Sequence, residues 1–80
     1  MNITYTKQAT KTLARMDTRT RQRIRDAILT IPKGNIKPME GQPGRYRLRV
    51  GGWRVLFGMD GDNIVIADVG PRGQIYKGGR

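Results

Sequence analysis

Histidine and cysteine are both absent from this chain of 80 residues. Without cysteine there is no disulfide framework and no thiolate chemistry. Without histidine the commonest metal ligand and the usual general base near neutral pH are both missing. Carboxylates are few, 6 Asp plus Glu in all, and they are scattered along the chain. No metal site and no cofactor are therefore expected. Glu40 is the sole glutamate, and a lone loop carboxylate is more often a surface charge than a catalytic base. No apolar stretch approaches the roughly 20 residues of a membrane span. The opening residues, MNITYTKQATK, lack the apolar run of a signal peptide. The expectations are no membrane partner, a cytoplasmic location and, with no repeat or linker in sight, a single domain over residues 1–80.

What the chain has in excess is positive charge. Lys and Arg number 16, giving a formal charge of +10 and a pI near 11.2. That balance points first to nucleic acid, and second to an acidic protein or an anionic membrane. A chain this short buries only roughly 60% of its unfolded surface, so its core is modest and a partner can add to its stability.

The most informative stretch is residues 45–57, RYRLRVGGWRVLF. Tyr46, Leu48 and Val50 alternate with Arg45, Arg47 and Arg49, which is the period of a strand with one oily and one charged face. Gly51-Gly52 supplies a two-residue turn with both residues suited to positive φ. The return strand then sets Val50 opposite Trp53, Arg49 opposite Arg54, Leu48 opposite Val55 and Arg47 opposite Leu56. One hairpin face becomes core: Tyr46, Leu48, Val50, Trp53, Val55 and Phe57. The other gathers Arg47, Arg49 and Arg54. Directly opposed like charges repel, and arginine cannot shed its proton to relieve this. Splaying into solvent accounts for one such arginine; three on one face of so basic a chain point to an anion site.

Elsewhere the pattern predicts a short strand at residues 2–5 and a helix capped by Thr6 and running to about residue 16, with Ala9, Leu13 and Met16 inward. A second helix, capped by Asp17 or Thr18, buries Ile24, Ala27, Ile28 and Ile31 and ends at Pro32 and Gly34. Its outer face carries Arg19, Arg21, Arg23 and Arg25. A charge run on a helix is usually a solvated face. RNA contact is the second option, through Arg19, Arg23, Lys7, Lys11 and, on the hairpin, Arg45. Residues 32–44, PKGNIKPMEGQPG, read as an irregular connection. A turn at Asp60-Gly61-Asp62-Asn63 leads into an apolar strand at residues 64–69. Gln74, Ile75 and Tyr76 make a possible final edge strand. The expected architecture is α+β: an N-terminal strand and a two-helix hairpin packed on one face of a small antiparallel sheet, with a basic concave face left open.

In this order and spacing, three segments resemble the RelE/ParE superfamily of bacterial toxins from toxin–antitoxin operons. They are Gly44-Arg45-Tyr46-Arg47-Leu48-Arg49-Val50, Trp53-Arg54-Val55-Leu56-Phe57, and Val69-Gly70-Pro71-Arg72 followed by Tyr76. The resemblance implies a ribosome-dependent, metal-independent endoribonuclease that cuts mRNA in the A site. It implies an acidic, RelB-like antitoxin as partner alongside ribosome and mRNA. It carries the family's catalytic set onto Arg47, Arg49, Arg54, Arg72 and Tyr76. ParE-like members share the fold but poison DNA gyrase, which gives the alternative function; a non-catalytic RNA-binding module is the third. In the nuclease reading the RNA 2′-OH attacks the neighbouring phosphate. Arg54 and Arg72 grip that phosphate, and Tyr76 is the candidate base. Arg47 or Arg49 steers the proton of the leaving 5′-oxygen, although arginine is a reluctant acid.

Overall fold

A computed structural model describes residues 2–71. The elements are β1 (Asn2–Tyr5), α1 (Lys7–Ala14), α2 (Thr18–Ile28), β2 (Ile36–Pro38), β3 (Arg45–Val50), β4 (Trp53–Asp60) and β5 (Asn63–Pro71). The strands form one sheet in the order β1-β5-β4-β3-β2.

The hairpin has the register that its alternation dictates. Val50 pairs with Trp53, Arg49 with Arg54, Leu48 with Val55 and Arg47 with Leu56. Of the two turn glycines only Gly51 has positive φ, at 60°. Positive φ at the first turn position alone is the type II′ pattern, so one glycine conformation is needed and not two. Strand β5 pairs antiparallel with β4, with a bulge where Leu56 faces Asp68 and Phe57 faces Ile66.

The sheet is mixed and not purely antiparallel, because β1 runs parallel to β5 with Ile3 beside Ile64 and Tyr5 beside Ile66. A parallel neighbour needs a crossover connection, and here the two helices and the meander lie between the paired strands. Thr6 fixes this junction. Its hydroxyl accepts from the Ala9 N–H as the cap of α1 and donates to the Ala67 carbonyl at 2.7 Å, beside the bulge. Helix α1 stops at Ala14, short of Met16, with Arg15 as its C-cap. Asp17 caps α2, accepting from the backbone and hydroxyl of Thr20.

Residues 32–44 are not wholly irregular. Ile36–Pro38 adds an edge strand to β3, with Ile36 opposite Leu48, Lys37 opposite Arg47 and Pro38 opposite Tyr46. Asn35 extends the ladder, its carbonyl accepting from the Arg49 N–H at 3.0 Å. A three-residue strand closed by proline carries no periodicity to read, and Pro38 is tolerated because β2 is an edge.

The helices cover one sheet face only. Ala9, Leu13, Ile24, Ile28 and Ile31 pack with Leu48, Val50, Val55, Phe57, Ile64, Ile66 and Val69 as a continuous buried core. Tyr46 and Trp53 sit at its margin, with the Tyr46 ring stacked on Phe57 at 5.7 Å between centroids. Each large side chain buried this way contributes about 1.5–3 kcal/mol. The opposite sheet face, bearing Lys37, Arg47, Arg49 and Arg54, has no helix over it among the described residues.

Candidate functional site

Period-two alternation sends every second residue of β3 and β4 away from the core, and the register brings those residues side by side. Arg49 and Arg54 are direct cross-strand partners, as are Lys37 and Arg47. With Asn35 these four cations line a hollow of about 70 Å³ on the helix-free face. Among the described residues that line it none is acidic, and Glu40 is exposed on the turn after β2. Among the described residues no group of three or more His, Cys, Asp or Glu comes together as a metal site.

The arginines are not equally open. Arg49 is exposed and Arg47 half-buried, but Arg54 retains only 6% of its accessible surface. The cause is topological: β4 is the central strand, so Arg54 lies between Arg49 on β3 and the side-chain-free Gly70 on β5. A guanidinium held in such a place is rigid and poorly hydrated. It interacts with an anion more strongly than a surface arginine does.

The remaining basic residues go elsewhere. Lys7 and Lys11 lie exposed on α1, and Arg19 on α2, in the layer behind the sheet. Arg45 lines a separate hollow with Pro43, Gly44, Gly58 and Val65. Arg23 reaches from α2 to the hairpin tip, where a Cβ on Gly51 would stand 3.0 Å from its Nη2. Arg25 lies over the Tyr5 ring at 5.6 Å. Arg72, Tyr76 and the final edge strand expected at 74–76 lie outside the described residues. Lys37 and Asn35 are the site residues that sequence reasoning missed. The only available signal was Ile36, an isolated apolar residue followed by Lys-Pro, and it is too short to define a strand.

The chain has relatives among known toxins. The profile of the ParE toxins of type II toxin–antitoxin systems, the parDE systems, matches residues 3–76. The fold is similar to that in a RelB–RelE antitoxin–toxin complex from Methanococcus jannaschii, at 29% identity and a TM-score of 0.76, over 92% of this chain and 95% of that one. It is also similar to that in the RelE–RelB complex of Pyrococcus horikoshii, at 26% identity and a TM-score of 0.72, over 91% and 96%. A YoeB/ParE toxin from Agrobacterium tumefaciens shares the fold at 19% identity and a TM-score of 0.75, over 90% and 99%. No curated protein sequence matches. No helix among the described residues is long and apolar enough to cross a membrane. With a family match over nearly all its length and a RelE-like fold carrying a cationic hollow, the chain belongs to the ParE toxins of type II toxin–antitoxin systems, within the RelE/ParE superfamily.

Proposed function

We propose that this toxin is a ribosome-dependent endoribonuclease that cleaves mRNA in the A site and is neutralised by an acidic, RelB-like antitoxin. The observation that carries the reading is the hollow itself: four cations in two opposed cross-strand pairs on one sheet face, with one guanidinium buried at the centre. Like charges placed side by side across a sheet repel, and a bound phosphate lowers that cost. The likeness to toxins from RelB–RelE complexes supports the nuclease branch.

The reaction asks three things of the protein: in-line geometry for the 2′-oxygen, a base for its proton, and charge stabilisation on the phosphorane. Arg54 is assigned to the phosphate oxygens, together with Arg72. Arg47 and Arg49 hold the strand on either side, and Tyr76 takes the 2′-OH proton. The products are a 2′,3′-cyclic phosphate and a 5′-OH, and no protein-bound metal takes part. A cytoplasmic site of action follows from the ribosomal target.

A ParE-like action on DNA gyrase is the second reading, favoured by the family profile that matches the sequence. Ribosomes programmed with a defined mRNA separate the two. The expected result is cleavage at one codon position with 5′-OH ends. Replacing Arg54 by Gln should slow it 10²- to 10³-fold, the loss typical of one transition-state donor. Intact mRNA, with inhibition of supercoiling by purified gyrase, would instead establish the second reading.

A further inference from the structure

Cleavage by 2′-OH attack leaves one requirement poorly met, since the resemblance gives the leaving-group proton to Arg47 or Arg49 and arginine is a reluctant acid. As the P–O5′ bond breaks, the departing 5′-oxygen becomes an alkoxide and needs a proton. Among the described residues lining the hollow, Arg47, Arg49 and Arg54 are guanidinium groups that do not give up a proton near neutral pH. Asn35 has no titratable proton. Lys37 is different: its ammonium is a proton donor on a flexible four-carbon stem.

The sheet puts Lys37 where this role requires. Ile36 and Pro38 face Leu48 and Tyr46, residues of the core side, so Lys37 between them shares the outer face with its cross-strand partner Arg47. The Asn35 carbonyl, bonded to the Arg49 N–H, continues the ladder past the end of β2 and fixes the strand's approach. Lys37 is exposed, so it is accessible to a bound strand and carries no part of the core.

We infer that Lys37 is the general acid of the reaction, protonating the 5′-oxygen as it leaves. The inference rests on the nuclease reading above. The step balances without any further reactant. The 2′-OH loses its proton to the base, the 2′-oxygen bonds to phosphorus, the P–O5′ bond breaks, and O5′ receives the proton from the Lys37 ammonium. The lysine and the base then exchange protons with solvent. This frees Arg47 and Arg49 from proton transfer and leaves them as charge and positioning groups.

The test compares two synthetic mRNAs on programmed ribosomes. One is ordinary; the other carries sulfur in place of the 5′-bridging oxygen at a single A-site linkage, each of the three linkages being tried in turn. A thiolate leaves without protonation. Lys37→Arg keeps the charge but removes the transferable proton. The expected result is that this variant cleaves ordinary mRNA about 10²- to 10⁴-fold more slowly than the parent, the usual contribution of general acid catalysis. It should cleave the sulfur-containing mRNA within about 3-fold of the parent rate. Equal slowing on both mRNAs would make Lys37 a charge or positioning group and overturn the inference, and no slowing on either would overturn it as well. If the parent toxin itself cuts neither mRNA, the nuclease reading fails first and takes this inference with it.

Discussion

Replacing Arg49 by Gln should make the folded toxin more stable while weakening its grip on RNA. Arg49 faces Arg54 across the hairpin and flanks Arg47 and Lys37 around the hollow. Its side chain is exposed, so truncation costs little packing. Two unit charges splayed to about 8 Å interact by roughly 0.5–1 kcal/mol for effective dielectric constants of about 40–80. Summed over three cationic neighbours, most at greater distance, relief of about 1–1.5 kcal/mol is expected in 10 mM salt. At 0.15 M the screening length is about 8 Å, and roughly a third of that should survive. For a domain this small, 1 kcal/mol moves Tm by about 4–8 °C. Thermal unfolding of both proteins at several salt concentrations measures this directly. Inorganic phosphate should also raise the parent's Tm more than chloride does at equal ionic strength, and raise the variant's less. A lower Tm for Arg49→Gln in 10 mM salt, or a difference indifferent to salt, would refute the electrostatic reasoning. Loss of one charge-assisted phosphate contact, about 1.5–3 kcal/mol, predicts at least a 10-fold fall in mRNA cleavage.

Other expectations test the fold that presents the hollow. Phe57→Ala removes a fully buried ring that stacks on Tyr46. It should cost about 3–5 kcal/mol, which is seen as a large drop in the urea midpoint or outright loss of the unfolding transition. Gly51→Ala forces a side chain into positive φ and against the Arg23 guanidinium. It should destabilise by about 1–2 kcal/mol, and combination with Arg23→Ala should recover part of that in a double-mutant cycle. Hydrogen bonds from Thr20 hold the Asp17 carboxyl below its usual pKa. The carboxylate therefore contributes stability above the unfolded-state pKa, near 4, and that contribution is lost as pH falls through the lower folded value. Unfolding midpoints for Asp17→Asn should accordingly match the parent at strongly acid pH and fall below it at pH 7.

Much of the fold could be read from local patterns, and the reasons are specific. The first hairpin strand alternates strictly and is closed by a two-glycine turn, so register followed from counting. Thr6 and Asp17 stand in front of helically spaced apolar residues; Thr6 caps as expected, and of the two candidates Asp17 and Thr18 it is Asp17 that caps α2. The parallel pairing of β1 with β5 was not legible, because four residues of weak alternation do not say which neighbour they join. Strand β2 was hidden by the Pro and Gly around it, and with it Lys37 and Asn35. The burial of Arg54 depends on which strand is central, a property of the whole sheet and not of the residues beside it. The charged face of α2 illustrates the opposite case. Its arginines read alike in sequence, yet Arg23 abuts the hairpin tip and Arg25 lies over Tyr5, while Arg19 does neither.

The central claim is that the cationic hollow acts on mRNA within the ribosome. Its most direct test maps mRNA 5′ ends in cells minutes after the toxin is induced without its antitoxin, alongside Arg54→Gln. The account predicts new 5′-OH ends within translated codons, in fixed phase with the reading frame, and their loss in the variant. Growth arrest with intact mRNA and gyrase-dependent DNA breaks would contradict it.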